Sequence, residues 1–349
     1  MRKLELSKSQ EERAAEVHQK AIFINALDDS PLINGAASYV LEGFMPKLVK
    51  EGVTVLQETI SDVNWDLPRT INAIGEWYEV LRRGSDKILL ATTAEDIRRA
   101  KKEGKIAVIF GFQHAPLNDD LNMVEVYHRL GVRVMQITYS ERNSIGDGCS
   151  ENANCGLSNF GREVVAEMNR LGMLIDLSHV GDRTTTEAIE LSKDPCCFTH
   201  SNPRALCNKA RNKTDEQIKA LAEKGGVMGL SFFTHLIRDD KLPTFWGDYL
   251  DFTEYVIDLV GVDHVGAGLD VAYGVTVHHP IYKKMLDKHP SRYAEVGYTQ
   301  EQRLSWYMNE ENRWFDITRG LVYRGYSDQE IEKILGLNFL KLFERVWQK

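Results

Sequence analysis

Two histidines, His179 and His200, close the short apolar runs MLIDLS and PCCFT, and the helical stretch DRTTTEAIELSK lies between them. That order spells a strand, a crossover helix and a second strand, with an imidazole at the carboxyl end of both strands. Parallel neighbours joined by a right-handed crossover bring their carboxyl ends to one edge, so the two rings can face one ion. Either histidine alone reads as a hydrogen-bonded loop residue. Matching positions in successive βα units favour a metal site.

The other apolar runs end in polar residues too: Asp28 and Asp29, Gln113 with His114, Tyr139, and Asp270. In a barrel these ends share the face where active sites form. Imidazole nitrogen and carboxylate oxygen are what zinc and related divalent ions accept, and a bound ion lowers the pKa of its water from about 15.7 to about 7. Asp270 can then move the proton of that water to a leaving amine, or it can simply cap a neighbour, and spacing does not choose. Gln113 offers a neutral carbonyl oxygen, and Asp29 or Asp270 a charged one. A carboxamide is the weaker ligand, so Gln113 argues for one ion over two sharing a bridge; a hydrogen-bonding strand end explains it equally well.

Something must hold these residues in place. Apolar runs at 21–27, 53–58, 106–112, 132–138, 173–178, 195–199, 225–233 and 264–269 read as eight strands. Helical spacing appears at 8–20, 67–83, 94–102, 121–130, 159–171 and 249–260. Asn159 is the expected cap of one helix, and Thr214 with Gln217 forms a capping box for another at 214–224. Strands alternating with helices predict an α/β fold, a (β/α)8 TIM-type barrel with extra C-terminal helices. A doubly wound open sheet is the alternative, and no GxGxxG after the first strand supports it. We expect a single domain over 1–349, with an N-terminal helix in 1–20, a loop or lid at 271–297, and helices over 298–349.

Composition narrows the class. The 349 residues carry 43 Lys and Arg against 51 Asp and Glu, a formal charge of −8, with no basic run to meet nucleic acid or an anionic membrane. The charged N-terminus has no signal-peptide core, and no apolar run reaches the roughly 18 residues of a spanning helix. Five cysteines, odd in number and without a CxxC pair, suit the cytoplasm.

The run NFGREVVAEMNRLGMLIDLSHVGDRT, the block FTHSNPRALCNKARNKTDEQIKALAEKGGVMGLSFF, and HVGAGLD together resemble the membrane (renal) dipeptidase family of zinc metallopeptidases. The likeness runs from about the first strand to KILGLNFLKLFERV. It implies that His179 and His200 are paired zinc ligands, that Arg211 holds the dipeptide's terminal carboxylate, and that Asp270 handles the proton of the attacking water. By the same likeness, Asn143 lies in a loop that contacts substrate. The departures matter as much. The family's His-x-Asp after the first strand becomes Leu27 and Asp29, its bridging glutamate becomes Gln113, and the histidine ending the fourth strand becomes Tyr139. Leucine cannot bind zinc, so the resemblance implies one ion rather than two, on His179 and His200 with help from Gln113, Asp29 or Asp270. Tyr139 can still donate to a developing oxyanion.

The expected function is therefore metal-assisted hydrolysis of a dipeptide or similar small amide. The alternatives are lyase or deaminase chemistry on a carboxylate-bearing metabolite, and an inactive homologue. The implied partner is a small dipeptide-like molecule, with neither nucleic acid nor membrane; a homodimer is left open.

Overall fold

The computed structural model describes residues 5–29, 37–233, 236–238, 245–272 and 313–348. Its parallel strands are β1 (Ile24–Asp29), β2 (Val55–Thr59), β3 (Ile88–Leu90), β4 (Ile106–Phe112), β5 (Val132–Gln136), β6 (Leu174–Asp176), β7 (Cys197–Ser201), β8 (Val227–Leu230), β9 (Val265–Ala267) and β10 (Val271–Ala272). The pairing order is β10-β1-β2-β4-β5-β6-β7-β8-β9, with β3 beside β4.

The last barrel strand is split, and the split closes the ring. β9 pairs with β8, the chain crosses Gly268 to Asp270, and β10 pairs with β1 through Asp28↔Val271 and Asp29↔Ala272. Between them Leu269 N donates to Asn25 Oδ1 at 2.9 Å and Asp270 N to Leu27 O at 3.3 Å. The segment expected to begin a lid at 271 thus starts as a strand, because β1 needs a partner on its open edge. The rest of that lid, 273–297 with His278, His279 and His289, lies outside the described residues.

Alternate residues of each strand enter separate layers, as a parallel sheet covered on both faces requires. On β4, Ala107 and Ile109 pack with Ile24, Ala26, Val55, Val134, Leu174, Cys197 and Val227, while Val108, Phe110 and Phe112 join the larger apolar layer that includes Trp77 and Tyr127. All eight expected strands are present. β3 was not anticipated, since a three-residue run is too short to show alternation.

The helices are α1 (Lys8–Lys20), α2 (Met45–Lys50), α3 (Leu67–Arg83), α4 (Ala94–Glu103), α5 (Asn122–Arg129), α6 (Asn159–Leu171), α7 (Asp182–Leu191), α8 (Asp215–Glu223), α9 (Leu250–Val260), α10 (Arg313–Tyr323), α11 (Asp328–Glu332) and α12 (Asn338–Val346). Their ends follow local chemistry. Asp66 accepts from Arg69 N at the start of α3, and Thr214 and Gln217 form the expected capping box on α8. Ser158, not Asn159, caps α6: its hydroxyl accepts from Gly161 N at 2.9 Å, while Asn159 is already helical.

The C-terminal helical segment over 327–347 is not one continuous α-helix. A wide turn at Lys333–Leu337 joins α11 to α12, and Gly336 there lies against the backbone, where a Cβ would sit 2.1 Å from Ile22 O. The break lets α12 place Phe339, Leu340 and Phe343 in the apolar layer with Ala107 and Ile109, so the C-terminal helix packs on the barrel. Of the helices expected over 298–349, α10 to α12 are described, and residues 298–312 lie outside the described residues.

Candidate active site

His200 stands on β7 and is fully buried, and His179 follows β6 by three residues. Their rings meet as the sequence predicts. The two Nε2 atoms lie 3.0 Å apart, with ring centroids 5.0 Å apart and tilted by 55°. Each Nδ1 is held by a hydroxyl: Ser140 Oγ at 3.0 Å from His179, and Thr199 Oγ1 at 2.7 Å from His200. Burial drives the His200 pKa well below its usual value, with Arg211 and Lys213 adding to the effect, so its ring is neutral at neutral pH.

Behind the pair sits Asp176, at the end of β6. Its Oδ1 accepts from Ser178 N, Ser178 Oγ and Thr199 N, and its Oδ2 from Thr199 Oγ1 at 2.7 Å. On the other side Tyr139 stacks on His179, with centroids 4.0 Å apart and planes 21° from parallel.

Arg211 reaches back across the strand ends. One Nη1 hydrogen goes to Ser178 O, the other to Ser201 Oγ at 2.7 Å, and Nη2 donates to His200 O at 2.8 Å. The neighbouring donor on Nη2 and the one on Nε share an edge of the planar group, the edge suited to a carboxylate. Asp270 and Tyr139 are close enough to act electrostatically on this guanidinium. Asp270 itself has φ +57°, in the left-handed region that Asp enters more readily than most residues other than glycine.

Other expected residues have clear positions. Gln113 follows β4, its side-chain Nε2 donates to Thr59 Oγ1 at 3.1 Å, and its backbone carbonyl accepts from Gln136 Nε2. Gln136 Oε1 in turn accepts from His179 N at 3.2 Å, which ties Gln113 to the histidine pair. Asp29 ends β1 beside Thr59, and its side chain lies outside the described residues. Asn143 turns into its own loop: Nδ2 donates to Ile137 O at 2.9 Å, and Oδ1 accepts from Ile145 N and Gly146 N. Leu27, fully buried, offers hydrocarbon where the resemblance expects a histidine.

Sequence reasoning passed over Asp176, Thr199, Ser140 and Lys213. Asp176 had a signal, a carboxylate inside the buried run MLIDLS. Lys213 is fully buried, donates to Val180 O at 2.8 Å, and lies 5.1 Å over the Phe198 ring. Burial, with Arg211 nearby, pushes its pKa down to about 7.

Two imidazoles whose Nε2 atoms converge to 3.0 Å are a fit for one divalent ion of the zinc type, since a ring nitrogen of each can reach a common point. Among the described residues, no group of three or more His, Cys, Asp and Glu side chains gathers there.

A parallel α/β barrel with a histidine pair at its carboxyl rim defines the amidohydrolase-type architecture. Within it, the chain belongs to the membrane dipeptidase family, Peptidase family M19, which it matches over residues 48–283. It is 30% identical over 284 residues to dipeptidase verJ of Clonostachys rogersoniana, covering 80% of this chain and 66% of that protein. It is 27% identical over 280 residues to dipeptidase tcpJ of Claviceps purpurea, covering 79% and 60%. The chain thus spans less than two thirds of the length of these relatives. A crystal structure of an amidohydrolase from Pseudomonas aeruginosa superimposes with a TM-score of 0.82 at 32% identity, covering 96% of this chain and 99% of that one.

Proposed function

We propose that the chain is a metal-dependent dipeptidase that works with one zinc ion on His179 and His200. The observation that carries this reading is the 3.0 Å approach of the two Nε2 atoms, each ring braced from behind at Nδ1. Gln113, Asp29 or Asp270 completes the ligand set. A bound ion would supply Lewis acidity and a water of lowered pKa.

The chain's own residues do the rest. Arg211 takes the terminal carboxylate of the dipeptide on its Nε and Nη2 edge, which fixes the scissile amide over the histidine pair. Asp270 accepts the proton of the attacking water and delivers it to the leaving amine nitrogen. Tyr139, held flat against His179, donates its hydroxyl to the oxygen that gains charge. Asn143 shapes the loop after β5 through its backbone contacts. Five cysteines, odd in number and without a CxxC pair, suit a reducing compartment, and we assign the cytoplasm. No helix among the described residues is long and apolar enough to cross a membrane.

A dipeptide panel assayed with zinc-loaded protein tests the reading. Turnover lost in His200→Ala is the expected result; a folded, loaded protein that cleaves no member would sink it.

A further inference from the structure

The hydrogens around Asp176 can be counted, and they leave His200 one option. Ser178 Oγ donates to Asp176 Oδ1 at 2.6 Å, and Thr199 Oγ1 donates to Oδ2 at 2.7 Å. A hydroxyl has a single proton, so once that proton points at the carboxylate the oxygen can only accept. Thr199 Oγ1 lies 2.7 Å from His200 Nδ1, and that nitrogen must be the donor. The ring therefore carries its proton on Nδ1 and its lone pair on Nε2, facing His179. His179 is held differently. Its Nδ1 meets Ser140 Oγ at 3.0 Å, a hydroxyl that among the described residues contacts no carboxylate and can donate or accept, while its Nε2 is placed to donate to the His200 lone pair in the metal-free protein.

We infer that Asp176 and Thr199 are positioning residues that lock His200 as the Nδ1–H tautomer, making it the anchoring ligand of the metal site, whereas the Ser140 hydroxyl by itself sets no tautomer on His179. The ligand half of this inference rests on the metal reading above; the tautomer half does not. It assigns unequal roles to histidines that look equivalent in sequence. A partner on the far nitrogen sets which ring nitrogen can ligate, and removing such a partner typically lowers metal affinity by about 10- to 100-fold.

The test has two parts. Long-range proton–nitrogen NMR on the imidazole-labelled, metal-free protein reads the His200 tautomer directly. A proton on Nδ1 is expected, and one on Nε2 overturns the inference without any variant needing to fold. Zinc affinity is then measured by chelator competition on wild type, Thr199→Val, Thr199→Ser and Ser140→Ala. Thr199→Val should bind about 10- to 100-fold more weakly. Thr199→Ser should stay near wild type, and Ser140→Ala should lose less than Thr199→Val. Equal affinity in folded Thr199→Val and wild type overturns the anchoring role. Failure of wild type to bind any divalent ion removes the metal reading and the anchoring role with it, while an Nδ1 proton on His200 still supports the lock.

Discussion

Arg204 grips Asp182 with both arms of its guanidinium, at 2.6 and 2.7 Å. Two further donors, on Nε and Nη2, hold Asn212 O and Ala210 O, each at 2.9 Å, the carbonyls on either side of Arg211. The segment around Arg211 belongs to no helix and no barrel strand, so this brace stands in for regular structure. Arg204→Met should raise KM for a dipeptide by about tenfold, an amount near one lost charge-assisted hydrogen bond. Zinc affinity should be unchanged. Steady-state kinetics beside chelator competition checks this, and a parallel fall in metal affinity would assign Arg204 to the general fold.

Removing Arg211 should be worse and more selective. Arg211→Ala is expected to lower kcat/KM for a free dipeptide by about 10- to 100-fold, the scale of a charge-assisted contact. The same variant should lose far less on a dipeptide with an amidated C-terminus. Equal losses on both substrates would mean that Arg211 serves only Ser178 O, Ser201 Oγ and His200 O.

Lys213 makes stability depend on pH. Its folded pKa, about 7, lies below the ordinary lysine value. Between these two values the unfolded chain binds more protons than the folded one, so stability rises with pH. The cost of burying the charge is fully present below about pH 7 and is relieved as the pH climbs toward about 10. Thermal unfolding of wild type and Lys213→Met at pH 6 and pH 9 should show wild type gaining on the variant at the higher pH. Parallel curves would refute the titration.

Gly336 tests the packing of the barrel floor. A methyl group there would lie 2.1 Å from Ile22 O. Gly336→Ala should cost about 1–3 kcal/mol of stability as the backbone shifts to relieve the overlap. Chemical denaturation measures it, and an unchanged midpoint would show that the wide turn yields freely.

Much of the barrel was legible because parallel strands buried on both faces read as continuous apolar runs, as IAVIFGF does. The split of the last strand was not legible, since its two short pieces pair with different neighbours, β8 and β1, on either side of a left-handed Asp270. The meeting of His179 and His200 followed from matching positions in two βα units. Their supports did not, because Ser140 comes from a different loop and the Asp176 network depends on hydroxyl direction, which no residue spacing encodes. Asn143, placed in a substrate-contacting loop by the resemblance alone, holds that loop's backbone with both ends of its amide, which residue type does not reveal. Lys213 went unnoticed because nothing in NKTDEQ marks its lysine as buried.

The claim that one ion sits on His179 and His200 is tested most directly by metal stoichiometry. Elemental analysis of purified wild type, His179→Ala and His200→Ala after zinc loading and desalting should give one ion per chain for wild type and none for either variant. An ion retained at full stoichiometry in folded His200→Ala would contradict it.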